Sequence, residues 1–134
     1  MLLISSSRED HVSLRRILSR DRWKVHEARS YREAMSALCA DRMPVVICES
    51  SLPDGNWKDV LGQVAPMADA PRLIVTSFHA DDRLWAEVLN MGGFDVLLKP
   101  LDESEVLRVV DLAWRNWEDE RQHRKQRWKV AAAG

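Results

Sequence analysis

Five short apolar runs, each followed by a stretch of helical periodicity, constrain this chain more than any other feature. The runs are Leu2-Leu3-Ile4, a weaker one over Trp23 to Ala28, Val45-Val46-Ile47-Cys48, Leu73-Ile74-Val75 and Val96-Leu97-Leu98. They are continuous rather than alternating, the pattern of strands buried on both faces of a parallel sheet. Between them, apolar residues recur at helical spacing. The stripes are Val12, Leu14, Ile17 and Leu18; Tyr31, Ala34, Met35, Leu38 and Cys39; Trp57, Val60, Leu61 and Val64; Leu84, Trp85, Val88, Leu89 and Met91; and Val106, Leu107, Val110, Trp114 and Trp117. Ser30 and Glu33 form an S-x-x-E capping signal, and Asp102 and Glu105 a D-x-x-E one. Pro66 stops the third stripe and Gly92-Gly93 ends the fourth. Strand and helix thus alternate five times, which predicts an α/β fold with a doubly wound parallel sheet.

The 134 residues, 46% hydrophobic and 31% charged, suit one compact domain. Two cysteines, Cys39 and Cys48, are too few for a disulfide scaffold. Both read as reduced, buried thiols, which points to the cytoplasm. Leu2 to Ile4 is too short for a signal-peptide core or a membrane span. A net charge of −1 argues against a strongly basic nucleic-acid binder and against an acidic disordered chain. That balance is uneven: residues 118–134 carry a net +2 and residues 1–117 a net −3.

Ligands of an open doubly wound sheet bind outside the carboxyl ends of the strands. The residues following the runs are Ser5-Ser6-Ser7, Glu49-Ser50-Ser51-Leu52-Pro53-Asp54-Gly55, Thr76-Ser77 and Lys99-Pro100. One carboxylate, one ammonium and several hydroxyls should converge there.

In this order, Glu49-x-x-Leu52-Pro53-Asp54-Gly55, Val75-Thr76-Ser77 and Gly92-Gly93-Phe94-Asp95-Val96-Leu97-Leu98-Lys99-Pro100 resemble a bacterial response-regulator receiver domain over residues 1 to 117. The resemblance implies a five-stranded flavodoxin-like sheet of order 2-1-3-4-5, the order for which a receiver is itself a standard example. It implies an acidic pair after the first strand to hold Mg²⁺, and here those positions are Ser5 and Ser6. It places the phosphoacceptor at Glu49, the switch hydroxyl at Thr76, the pocket lysine at Lys99 and the aromatic switch position at Val96. A cis Lys99–Pro100 bond is also expected on this basis.

Two of the family's roles are therefore altered. Serine hydroxyls are weak, neutral ligands for a hard cation that wants carboxylate oxygens, so no cofactor is expected and Mg²⁺ binding should be lost. Glu49 carries an extra methylene, which moves its carboxylate out of the place of an aspartate. The residues left predict a metal-free pair, Glu49 with Lys99, with hydroxyls of Thr76 and the serines supplying hydrogen bonds. Glu49 reads either as a fixed mimic of the active state or as a plain structural ion pair. The implied function is a phosphorylation-independent protein-interaction module of two-component signalling rather than an enzyme. A receiver that still accepts phosphate through an altered site is one alternative. A nucleotide- or flavin-binding protein is another, although the Ser5 to Ser7 loop has no glycine to let a phosphate approach the backbone.

Several residues have bland readings. Asp54 belongs to a Pro-Asp-Gly turn, and His79 to a solvated loop. Trp23, Trp57 and Trp85 are expected in packing between helices and strands. The receiver resemblance also implies that the face of the fourth helix, fifth sheet strand and fifth helix is a candidate homodimer or partner surface. Residues 118–134 form a charged extension of the last helix, solvated and with an expected Glu120–Arg124 pair. No sequence-specific DNA-binding motif is visible, so partners are expected to be proteins, with neither membrane nor nucleic acid.

Overall fold

The computed structural model describes residues 1–19 and 23–133. In chain order the elements are β1 (Leu2–Ile4), α1 (Arg8–Leu18), β2 (His26–Ala28), α2 (Tyr31–Ala40), β3 (Val45–Glu49), the two-residue strands β4 (Ser51–Leu52) and β5 (Gly55–Asn56), α3 (Trp57–Val64), β6 (Arg72–Ser77), α4 (Asp82–Met91), β7 (Asp95–Leu98) and α5 (Glu103–Ala133). The main sheet is parallel, in the order β2-β1-β3-β6-β7. Counting only its own strands, this is the expected 2-1-3-4-5. The β4–β5 pair is a separate antiparallel hairpin.

The continuous runs are explained by two apolar layers, because successive strand residues point to opposite faces. Leu2, Ile4, Val46, Cys48, Leu73, Val75 and Val96 face the layer filled by Ala34, Trp57, Val60, Leu61, Val64 and Val88. Leu3, Val45, Ile47, Ile74 and Leu97 face the other, filled by Leu14, Ile17, Leu18, Val106, Val109, Val110 and Ala113. Each such aliphatic side chain contributes about 1.5–3 kcal/mol on burial.

Helix ends are fixed locally. The Ser30 hydroxyl accepts the Glu33 N–H at 3.1 Å. The Glu33 carboxylate reaches back one residue further than a capping box does, to the Arg29 N–H at 3.0 Å. Asn56 and Asp59 form a complete capping box on α3. Gly92, at φ +101°, closes α4 in the left-handed region that glycine tolerates best.

Several apolar stripes are narrower than their spacing implied. On α1, Val12 is 58% exposed, and Asp10 and His11 take buried places beside Leu14, Ile17 and Leu18. On α4 only Val88 is buried, while Trp85, Leu89 and Met91 are exposed. Trp85 therefore does not pack in the core; its indole N–H donates to Asp95 Oδ1 at 3.1 Å. Cys39 is exposed, contrary to expectation, and Cys48 is buried. The second strand is shorter than Trp23 to Ala28 because only His26–Ala28 pairs with β1.

The last helix runs on through the charged segment to Ala133. The expected Glu120–Arg124 pair gives way to ties with the body. Glu120 bonds Arg72, and Arg124 Nη1 lies 3.1 Å from Asp69 Oδ1. The Trp117 indole N–H donates to the Asp69 carbonyl at 2.9 Å.

Candidate functional site

The carboxyl ends of β1, β3, β6 and β7 deliver Ser5, Glu49, Thr76 and Lys99 to one pocket. Parallel register sets this meeting: Ile4 lies beside Cys48, Glu49 beside Thr76, and Ser77 beside Leu98. Lys99 is 4% exposed, and its peptide bond to Pro100 is cis.

Lys99 does not face Glu49 alone. Its Nζ donates to Asp10 Oδ2 at 2.6 Å and to Glu49 Oε1 at 3.2 Å. The expected one-to-one pair is thus a triad of two carboxylates on one ammonium, and Asp10 is the nearer partner. Asp10 comes from the first turn of α1, where it sits in line with Leu14, Ile17 and Leu18 on the buried face. Sequence reasoning missed it because an acid three residues after Ser7 reads as part of a helix cap. The available signal was its place on the apolar stripe, where an unpaired charge is too costly to bury.

The serines hold the carboxylates. Ser5 Oγ lies 2.7 Å from Asp10 Oδ2 and 3.0 Å from Glu49 Oε2, and its single proton serves one of them at a time. The N–H and hydroxyl of Ser6 both lie 3.2 Å from Glu49 Oε2. The Ser7 N–H donates to Ser5 Oγ at 3.0 Å. Burial pushes the Glu49 carboxyl up, but the Lys99 hydrogen bond and charge, with Ser6 and Ser5, outweigh it and hold the group below its ordinary value. The neighbouring Cys48 thiol is pushed up to about 12, first by burial and then by the Glu49 charge, so it is inert.

Thr76 is buried, but the donors to Glu49 among the described residues are Ser5, Ser6 and Lys99, not Thr76. Its carbonyl accepts the Ser50 N–H at 2.9 Å, anchoring the loop after β3. Val96 is buried in the α2–α3–α4 layer. Phe78, 64% exposed on the loop after β6, has its ring centroid 5.1 Å from Lys99 Nζ. His79 is exposed.

A second layer orients the first. His11 Nε2 lies 2.6 Å from the Ser5 carbonyl, which can only accept, so the proton sits on Nε2. Its Nδ1 lies 3.6 Å from Glu27 Oε1, and Arg15 bonds the other Glu27 oxygen at 3.0 Å. Asp54 is occupied elsewhere. Its carboxylate accepts the Tyr31 and Arg32 N–H groups at 2.7 and 3.0 Å, capping α2. Those bonds, led by the one from Arg32, hold its carboxyl low.

The profile of the response regulator receiver domain matches residues 3–111. Among curated proteins, the DNA-binding transcriptional activator DevR/DosR of Mycobacterium tuberculosis is 33% identical over 90 residues, which cover 64% of this chain and 40% of that one. The match therefore spans less than half of that relative's length. Among solved structures, the signal receiver domain of an HD domain-containing protein from Pseudomonas fluorescens Pf-5 superposes with a TM-score of 0.82 at 25% identity, covering 90% of each chain. The receiver domain of a putative LuxO repressor protein from Vibrio parahaemolyticus gives 0.83 at 20% identity, covering 90% of this chain and 93% of that one. The chemotaxis regulator CheY4 of Vibrio cholerae gives 0.76 at 17%, covering 84% and 95%. These last two are similar in fold.

Proposed function

The chain belongs to the response-regulator receiver family of two-component signalling, and from that premise we propose that it works as a phosphorylation-independent protein-interaction module of the cytoplasm. The observation that carries this reading is the Asp10–Lys99–Glu49 triad. The lysine holds both carboxylates, and Ser5 and Ser6 hydrogen-bond Asp10 Oδ2 and Glu49 Oε2. With its one ammonium already held by two carboxylates, the pocket keeps a negative charge in excess and would repel an added phosphoryl group.

The donor set also fits a divalent cation poorly. Mg²⁺ wants carboxylate oxygens in octahedral array. Ser5 and Ser6 supply neutral hydroxyls that already lie against the pocket carboxylates, and both carboxylates are committed to Lys99. Among the described residues, no three His, Cys, Asp or Glu side chains converge as a metal site. On this reading Glu49 is a fixed charge at the phosphoacceptor position, Ser5 and Ser6 mark a lost metal site, and Thr76 and Val96 are packed positions without a switching role.

Binding would then fall to the surface. Trp85 and Leu89 on α4, Leu98 on β7 and Leu112 on α5 are all exposed, around the open edge of the sheet. Large apolar side chains grouped this way suit a protein partner or a second copy. Treatment with acetyl phosphate and Mg²⁺, followed by intact-mass analysis, tests the reading. No phosphoryl adduct is expected, and an acyl phosphate on Glu49 or Asp10 would overturn it.

A further inference from the structure

The far end of α5 carries a surface that the pocket does not use. From Arg121 to Lys129 the chain has five Lys/Arg, one His and no acid. At 100° per residue, Arg121, Arg124, Lys125, Trp128 and Lys129 fall on one side of the helix. With Asp69 they line a groove of about 330 Å³. Arg121 stacks over the Trp117 ring at 5.4 Å, and Arg124 bonds Asp69, so the root of this face is fastened to the body. Trp128, further out, is 76% exposed.

We infer that this face binds single-stranded nucleic acid, Trp128 stacking on an unpaired base while Arg124, Lys125 and Lys129 contact the flanking phosphates. A large indole left in water, with cations at i−4, i−3 and i+1, combines a stacking platform with charge for a backbone. An acidic peptide would use the cations and leave the ring without a role. A membrane surface needs a broad apolar face, and Trp128 is the one apolar side chain lining this groove. Single strands, unlike duplexes, offer unstacked bases. The net −3 on residues 1–117 repels a polyanion from the body and confines it to the extension. The near-neutral total charge hides this local +5, which is why the sequence as a whole read against nucleic acid.

Fluorescence anisotropy of the full chain with a short fluorescein-labelled oligothymidylate at low salt tests the inference. With those three phosphates neutralised, the log–log salt slope is about −2.1, so a fourfold rise in salt weakens binding about 18-fold. Trp128→Ala should weaken binding about tenfold with no change in helicity by circular dichroism. Lys125→Gln with Lys129→Gln should reduce the slope by about 1.4. Absence of binding at low salt would overturn the inference. So would Trp128→Ala binding as well as the wild type, polyglutamate competing as strongly as the oligonucleotide, or capture by phosphatidylserine vesicles alone.

Discussion

The pocket and the outer part of α5 are both dense in charge, and they handle it in opposite ways. In the pocket one buried ammonium sits within 3.2 Å of two carboxylates, and the Ser5 and Ser6 hydroxyls lie against them as well. In the extension five cations stand along a helix with Asp69 as the acid lining their groove. Burial makes the difference. Within a low-dielectric site a charge must be answered by its own chain, whereas in water it stays available to an outside partner. The same residue types are therefore a tie in one place and a docking surface in the other.

The comparison breaks most sharply at Lys99. Lys99→Met leaves Asp10 and Glu49 without their cation and should lower stability by about 3–5 kcal/mol, read from urea unfolding. Adding Asp10→Asn and Glu49→Gln to that variant should recover most of the loss. A loss below about 1 kcal/mol for Lys99→Met, the range of surface pairs, would show that the pocket is no more a tie than the extension is. The next effect separates the two carboxylates. Asp10→Asn should cost about 2 kcal/mol or more, and Glu49→Gln about half of that, since Asp10 is closer to Lys99 and more buried. Glu49 is distinguished further by pH. Its folded value lies below the ordinary 4.5, so its contribution is complete above that pH and fades as pH falls through the lower folded value. Acid unfolding of Glu49→Gln should lack that component. The smallest effect belongs to the extension. Arg124→Ala removes an exposed ion pair to Asp69 and should change stability by less than about 1 kcal/mol. A larger loss would make the tail part of the core rather than a surface laid on it.

The sheet was legible where strands are buried on both faces. Val45 to Cys48 and Leu73 to Val75 have no polar side to interrupt the run. The edge strand β2 was obscure for the opposite reason. His26 and Glu27 spend their side chains on Asp41, Arg15 and His11, so no apolar run marks the strand. In the site, Glu49, Lys99, Ser5 and Ser6 were readable because they follow strands and must meet at one end. Asp10 was not, because a helix brings it in sideways and its pattern imitates a cap. Trp85 was misjudged because α4 presents Val88, with Leu84 partly buried beside it, to the core and turns Trp85, Leu89 and Met91 outward. The helicity of residues 118–133 followed from composition, but their partners Asp69 and Arg72 lie about 50 residues away in the chain, beyond any i,i+4 rule.

The fastening of Trp117 and Arg124 to Asp69 has a mechanical meaning. A 31-residue helix is about 46 Å long at 1.5 Å per residue. Pivoting at its root, each degree of tilt would sweep its tip by about 0.8 Å at that length. The clamp sits beside Arg72, at the start of β6, the opposite end of the sheet from Lys99. It moves the fulcrum outward and leaves a free arm of nine residues, about 14 Å. Whatever Trp128 grips is thus held at a fixed bearing and short radius from the sheet, more like a bracket than a tether.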